Sequence, residues 1–579
     1  MTTAVPAGTT PAALERALSA FTAELGADAV ITEPADLREY RDPYTYLESD
    51  QFDAAAALTP TSVGQVQAIV RIANEYRVPL WTFSQGRNNT YGGPAPRLRG
   101  SVVVNLRRMN RVIEVNSELA YAVVEPGVRW FDLYDALAEA GGDLMPSIPD
   151  LGWGSVIGNS LEYGIGYTPY GDHARNICGL EVVLPDGSLL RTGMGAMEGN
   201  AAWHTYPHSF GPSFGGLFHQ SNLGIVTRMG VWVMPRPETY AACWARFTGY
   251  EALALVVDAL RGLMLDRTIE NVPLFHRGMQ VDDNGELYFD PNSEGWSGRF
   301  ALYGRASLVD AQYAIVSETL QAIHGVAVGR RTFDGTDLGG LANHDERVQR
   351  GIPDMDLLDP GRLPYGAVTG HLDFSPVGPC TGDEAVRVDK LIRSVYARHG
   401  HGHVNGLFLT PRSALHISTT FYDPNDERQT LEVFDGYTDL VAELAAIGYA
   451  PYRTNLQHMD LVARQFAFGD GAQLRLAEAI KDALDPNGIL APGKSGIWPA
   501  GLRASPLAGK REGPARRAGP FAQSRVRTGR RSCRPPERPS SCRRHRPRQD
   551  ARYPRRSGRS PRCGGQRSQR SRPGQQSRR

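Results

Sequence analysis

Six glycines, at 152, 154, 158, 164, 166 and 171, fall between Pro149 and His173, with Trp153, Tyr163, Tyr167 and Tyr170 among them. Neither helical nor strand periodicity runs through this stretch. Glycine costs backbone entropy when it is fixed, so the run predicts backbone pressed against a neighbour, with several positions at positive φ. Successive N–H groups in such a loop can bind a pyrophosphate, and flat aromatics can line a ring system. A second glycine-rich loop, SQGRNNTYGG over 84–93, sets the donors of Arg87, Asn88 and Asn89 beside glycines 86, 92 and 93. It lacks the GxGxxG and GKS spacings of the common nucleotide folds, so alone it points only weakly to phosphate. A third loop, LAPGKSGIW, carries Lys494 and suits a polar ligand.

Two further patterns name other chemistry. Gly211-Pro212-Ser213-Phe214-Gly215 fits GxSxG literally, but a nucleophile elbow needs an apolar strand before the serine, and HTYPHSF is not one. His399, His401 and His403 alternate as in a metal-binding tract. They sit in a helix-ending loop, where such histidines are solvated, and no metal is expected. The six cysteines, 178, 243, 380, 533, 542 and 563, form no CxxC pair. That supports neither a zinc site nor a disulfide framework, and a reducing cytoplasm is the default compartment.

The elements that must hold these loops divide the chain. A helix is expected over 11–26, then extended chain to about Asp53, then a helix from Thr59-Pro60. Ser62 and Gln65 fit a capping box, and Val63, Val66, Ile69, Val70 and Ala73 make one apolar face. Strands are expected at 78–81, 102–104, 112–115, 121–124, 180–184, 189–191 and 225–233, with a helix over 130–140 that stops at Gly141-Gly142. From about Arg236 the texture changes to longer helical patterns at 250–264, 309–323, 383–399 and 428–447, with β-rich segments between them. A last helix over 472–484 precedes the Lys494 loop. The class is α+β. The boundaries fall at 1–236, 237–448 and 449–500.

The chain has 579 residues, 41% of them hydrophobic, enough for two or three domains and a large core. No apolar run approaches a membrane span, and the N-terminus shows no secretory pattern, so no membrane is expected. The net charge of +1 conceals a division: residues 501–579 hold 25 Arg and Lys against 3 Asp and Glu, leaving 38 against 59 in 1–500. Residues 501–579 are Arg, Ser, Pro, Gly and Gln without apolar periodicity, which predicts a disordered basic tail. Phosphate binding is open to such a tail, but nucleic acid is not its expected partner.

Taken in order, RIANEY, NNTYGGPAPRL, MNRVIEVN, PDLGWGSVIGN, GYTPYGDH, GLEVVLPDG, RTGMGA, QSNLGIVTRMG, GIPDMDLLD, GHLDFSPV, PYRTN and KDALDPNGILAPGKSGIW resemble the vanillyl-alcohol oxidase group of FAD enzymes, on its eugenol and 4-alkylphenol oxidase side. The resemblance runs from Arg41-Asp42-Pro43-Tyr44 to Trp498. It implies a two-part FAD-binding domain of the PCMH type, with an α+β cap domain inserted over the flavin ring. Cofactor contacts would come from Ser84, Gly86, Arg87, Asn88, Asn89, Pro149, Asp150, Ser155, Gly158, Asn159, Gly166, Tyr170, Gly171, Ile225, Val226, Arg453 and Lys494.

The same resemblance implies single roles. His371 in GHLDFSP matches the histidine joined covalently to the flavin; the cresol-dehydrogenase relatives use a tyrosine there, so histidine favours the oxidase branch. Neutral imidazole, which predominates near pH 7, is a plausible nucleophile for that bond. Tyr91, Tyr452 and Arg453 match a clamp that ionises a phenol with positive charge and short donors. Asp150 matches an acid beside flavin N5, which assists hydride transfer and deprotonates the water that adds to the quinone methide. Tyr167, His416, Asp373 and Ser375 match pocket positions, with Asp373 standing where the nearest relatives have glycine. An upstream histidine assists flavin attachment in some members, and DPYTYLESD contains none. The implied function is oxidation of para-substituted phenols with O2 as acceptor, in a homo-oligomer. A dehydrogenase passing electrons to a cytochrome is the alternative.

Overall fold

The valine-rich strand Val102–Asn105 runs parallel to Ala56–Leu58 on one side and Leu80–Phe83 on the other, and Val30–Ile31 closes this first sheet. The computed structural model describes residues 4–281, 287–290, 292–336, 339–360 and 363–504. Helices Pro11–Leu25 and Val63–Tyr76 share one core with the first sheet through Phe21, Val66, Ile69 and Val70. The Ser62 hydroxyl accepts the Gln65 N–H at 3.3 Å, but the Gln65 amide reaches back to the Thr61 N–H at 2.7 Å, one residue earlier than a capping box requires. The sequence reading did not predict the strand Ala56–Leu58. Alanine is a good helix former, yet here small side chains are buried completely, which lets strand and helices close tightly.

The end of the chain returns to this sheet. The Leu80 N–H donates to Ile489 O at 2.7 Å, and Ala491 N–H donates to Leu80 O at 2.8 Å. Lys481, fully buried, fixes the return by donating to Asn222 O, Leu490 O and the Asp485 carboxylate. A buried ammonium is tolerable only when its donors are used, as they are here. Residues 501–504, assigned above to the tail, belong to the body: Arg503 pairs with Glu478 and Asp482 across 3.3 and 2.8 Å. The remainder of the expected tail, with Cys533, Cys542 and Cys563, lies outside the described residues.

A second, antiparallel sheet has the order Val112–Asn116, Tyr121–Val124, Ile225–Trp232, Ile177–Val183, Leu189–Arg191. Helix Trp130–Glu139 packs in its core through Trp130, Leu133 and Leu137. The third sheet has nine strands, all antiparallel, from Ala327–Asp334 at one edge to Ala450–Pro451 at the other. Its helices Gly249–Leu265, Ala306–Gln321, Gly382–Arg398 and Glu427–Ala446 carry the apolar faces read from the sequence. Two strands of this sheet matter for the site: Gly370–Phe374, which carries His371 and Asp373, and Ala450–Pro451, which hands directly to Tyr452 and Arg453. Among the described residues, no helix is long and apolar enough to cross a membrane.

Candidate active site

The stretch Pro149–His173 differs from its sequence reading in two respects. It contains a short helix, Val156–Leu161, whose Ser155 cap accepts the Gly158 N–H at 3.0 Å. None of its six glycines has positive φ; only Tyr163 does, at 56°. The glycines are there for close approach. A Cβ on Gly158 would stand 2.5 Å from Ser84 Oγ, and one on Gly171 would stand 2.4 Å from Gly166 O. In the 84–93 loop, by contrast, Gly86 and Gly92 do take positive φ.

These two loops, the 220–226 segment and the Lys494 loop enclose a cavity of about 340 Å³. It is lined by Ser84, Gly86, Arg87, Asn88, Asn89, Tyr91, Pro149, Asp150, Ser155, Gly158, Asn159, Tyr167, Ile225, Val226, Asp373, Tyr452, Arg453 and Lys494. Gly166, Tyr170, Gly171, Ser375 and His416 do not line it. Gly166 and Gly171 instead bond to each other, N–H to carbonyl at 2.8 Å, and Tyr170 O accepts the Asn176 amide. His416 is buried in the third sheet, with Asn405 donating to its Nδ1 at 3.1 Å. Ser375 acts one step back from the wall, its Oγ 2.5 Å from the Tyr91 hydroxyl. His371 lines a smaller neighbouring cavity of about 120 Å³, bounded also by Asn89, Asp150 and Asp373.

The donor set suits a flavin dinucleotide. Arg87, Asn88, Ser155, Asn159 and Lys494 provide polar groups, while Trp153, Ile157, Ile225 and Val226 provide flat and apolar wall. Trp153 Nε1 and Arg453 Nε are buried with no hydrogen-bond partner, so the wall holds unused donors. The Arg87 guanidinium lies 4.5 Å over the Trp153 ring and ties the two loops together. Lys494 pairs with Glu162 at 2.7 Å.

Around the expected clamp residues, Arg453 lies 4.2 Å over the Tyr91 ring and 6.0 Å from that of Tyr452, and its Nη2 donates to Asn88 Oδ1. Burial pushes Tyr91 well above the ordinary phenol range, so its O–H stays a donor. Arg453, although buried, is held as a cation by the neighbouring tyrosines and Glu162. On the wall of the same cavity, Asp150 accepts from Arg299 Nη2 at 2.5 Å, from His344 Nε2 at 3.1 Å and from the Tyr167 hydroxyl. Burial opposes its ionisation, but Arg299 and His344 prevail and hold it well below the usual carboxylate range. His344 in turn bonds Asp354 at 2.7 Å; burial would lower its pKa, but the two carboxylates raise it to about 9.

Burial alone lowers His371 and keeps its imidazole neutral. Its Nε2 meets Asn89 Oδ1 at 3.0 Å, and Tyr44 packs edge-on at 5.2 Å. Arg299, His344 and Tyr44 were missed by the sequence reading. Arg299 is one basic residue in a cap strand, far from Asp150 in sequence, and nothing local marks it. Asp354 left a signal, since it lies within GIPDMDLLD. Ser213 of the GxSxG match is exposed, with no strand before it. His399 pairs with Asp439, while His403 is buried against Arg277.

The family model for the FAD binding domain matches residues 54–193. The flavoprotein subunit of 4-cresol dehydrogenase (hydroxylating) from Pseudomonas putida is 33% identical over 518 residues, 85% of this chain and 97% of that protein. The chain belongs to the vanillyl-alcohol oxidase family. Among solved members of that family, 4-ethylphenol oxidase from Gulosibacter chungangensis, in complex with isoeugenol, superposes with a TM-score of 0.79 at 35% identity, covering 86% of this chain and 100% of that one. A substrate-bound p-cresol methylhydroxylase gives 0.78 at 31% identity, covering 86% and 99%. Like other vanillyl-alcohol oxidase family members, this chain is an FAD-dependent oxidoreductase with a PCMH-type fold.

Proposed function

We propose that the protein oxidises para-substituted phenols such as 4-alkylphenols, vanillyl alcohol or eugenol, with O2 as electron acceptor. The observation that carries this reading is the convergence of Tyr91, Tyr452 and Arg453 on the wall of the main cavity. Two tyrosines and a guanidinium lining one cavity suit a phenol oxygen and favour its ionised form. The solved relatives at 35% and 31% identity are named for oxidation of such phenols, which supports the substrate class.

FAD held by the 84–93, 149–173 and Lys494 loops would supply the hydride acceptor and the route of the electron pair to O2. The chain's own residues do the rest. Tyr91, Tyr452 and Arg453 hold the phenolate, and the ring carries its electron density to the para carbon. Loss of hydride from the benzylic position leaves a neutral quinone methide, which water attacks or which rearranges. Asp150, fixed by Arg299, His344 and Tyr167, presents a permanent negative charge to the smaller cavity. His371, neutral and on the wall of that cavity, is the group for a covalent flavin bond.

The test is the visible spectrum of the purified protein, followed by acid precipitation and anaerobic addition of 4-ethylphenol. Flavin colour in the pellet, bleaching by the phenol and rapid recovery in air are expected. A relative is the flavoprotein subunit of a dehydrogenase, which favours a second reading with a cytochrome as acceptor. Slow recovery in air with fast recovery by a one-electron acceptor selects it.

A further inference from the structure

Two carboxyl groups, Asp150 and Asp373, face the cavity of about 120 Å³ beside the clamp, where Leu357, Phe408 and Ile417 form the apolar wall. Their surroundings differ. Both Asp150 oxygens are taken, by Arg299, His344 and Tyr167. Asp373 forms no salt bridge among the described residues; its Oδ1 accepts the Thr419 hydroxyl at 2.5 Å, from the facing residue of the paired strand.

The position of Asp373 along its strand sets what it can reach. Ser375 Oγ touches the Tyr91 hydroxyl, which marks the level of the phenol oxygen. Two residues of chain span at most about 7 Å. That is close to the span of a para-alkylphenol from its oxygen to its benzylic carbon. Asp373 therefore lies within about 7 Å of that level, on the wall of the smaller cavity and within reach of a para side chain, and His371 lies a further two residues away.

We propose that Asp373, and not Asp150, accepts the proton of the water that adds to the para side chain. This rests on the phenol-oxidase reading above. After hydride has left for FAD, the water oxygen forms a bond to the benzylic carbon. The exocyclic double-bond pair moves through the ring to the oxygen held by Tyr91, Tyr452 and Arg453, regenerating phenolate. One water proton goes to the Asp373 carboxylate, and the product is the benzylic alcohol. Burial holds the Asp373 carboxyl above the ordinary range, which suits a group that must take a proton. Asp150, held far below that range, is a poor acceptor. Without a base for water, the same intermediate loses a proton from the next carbon and gives the alkene.

The experiment uses the holoenzyme with 4-ethylphenol, and reads 1-(4-hydroxyphenyl)ethanol against 4-vinylphenol by chromatography. Asp373→Asn lowers the alcohol-to-alkene ratio by about 100-fold or more, the scale of a lost general base. Asp373→Ser, which keeps a hydroxyl at the Thr419 contact, shifts it the same way, and Asp373→Glu restores part of it. An unchanged ratio in Asp373→Asn, a shift only in Asp150→Asn, or wild-type enzyme that makes no alcohol overturns the proposal while leaving the oxidase reading intact. Failure of 4-alkylphenols to bleach the wild-type flavin overturns the oxidase reading itself.

Discussion

Arg299 reaches from a strand of the third sheet to Asp150 in the glycine-rich loop, Nη2 to Oδ1 at 2.5 Å, with its guanidinium 4.1 Å over the Tyr167 ring. Both partners are largely buried, so neither charge can stand alone. Arg299→Ala should cost about 3–5 kcal/mol, the usual loss when half of a buried pair is removed. Denaturant unfolding of the two proteins measures it. Arg299→Lys, which keeps the charge but loses the planar fork, should fall between them.

His344 predicts a pH dependence with a definite sign. Its folded pKa, about 9, lies above the unfolded value of 6.5. The imidazolium therefore stabilises the fold fully below pH 6.5, and that contribution is lost as pH rises through 9. The loss is on the order of 3 kcal/mol if the whole shift is realised. Melting temperatures from pH 6 to 10 should fall in the wild type and stay flatter in His344→Gln.

Arg453→Ala should slow anaerobic flavin reduction by a para-alkylphenol about 100-fold, since the cation proposed to face the phenol oxygen is gone. Stopped-flow bleaching reads this directly. A phenol methyl ether, which cannot ionise, should be inert with both proteins.

His371→Ala should leave FAD bound but removable. Acid precipitation then sends the yellow colour to the supernatant, where the wild type keeps it in the pellet. Colour in the pellet from both proteins would falsify the His371 linkage.

Gly171→Ala forces a Cβ to 2.4 Å from the Gly166 carbonyl, a backbone atom that cannot swing aside. Overpacking of this kind costs about 1–3 kcal/mol. Because Gly171 touches protein and not the cavity, the thermal midpoint should drop while affinity of the folded protein for FAD changes little. A calorimetric scan beside an FAD titration separates the two.

The amphipathic helices were legible because their spacing is local: Val66, Ile69 and Val70 on one face, or Val388, Ile392 and Val395 on another, need only the neighbouring turn to be recognised. The loops 84–93 and 149–173 were legible through glycine and donor content. What remained hidden in them was the reason for the glycines, since close contact and positive φ leave the same residue in the sequence. The strand at Ala56–Leu58 was hidden because its alanines fit either class until Val102–Val104 lies beside them.

The sequence by itself determined the family, the cofactor class and the residue types that could hold a phenol, because each of these is written in short contiguous motifs. Tertiary structure alone decided how the carboxylates differ. Asp150 and Asp373 are the same side chain, yet one is salt-bridged to Arg299 and His344 while the other accepts the Thr419 hydroxyl, with His371 and Arg453 farther off. A proton affinity is set by burial and by the charges within a few ångströms. Arg299 and His344 lie 149 and 194 residues from Asp150, and Thr419 lies 46 from Asp373, so folding is what brings them there.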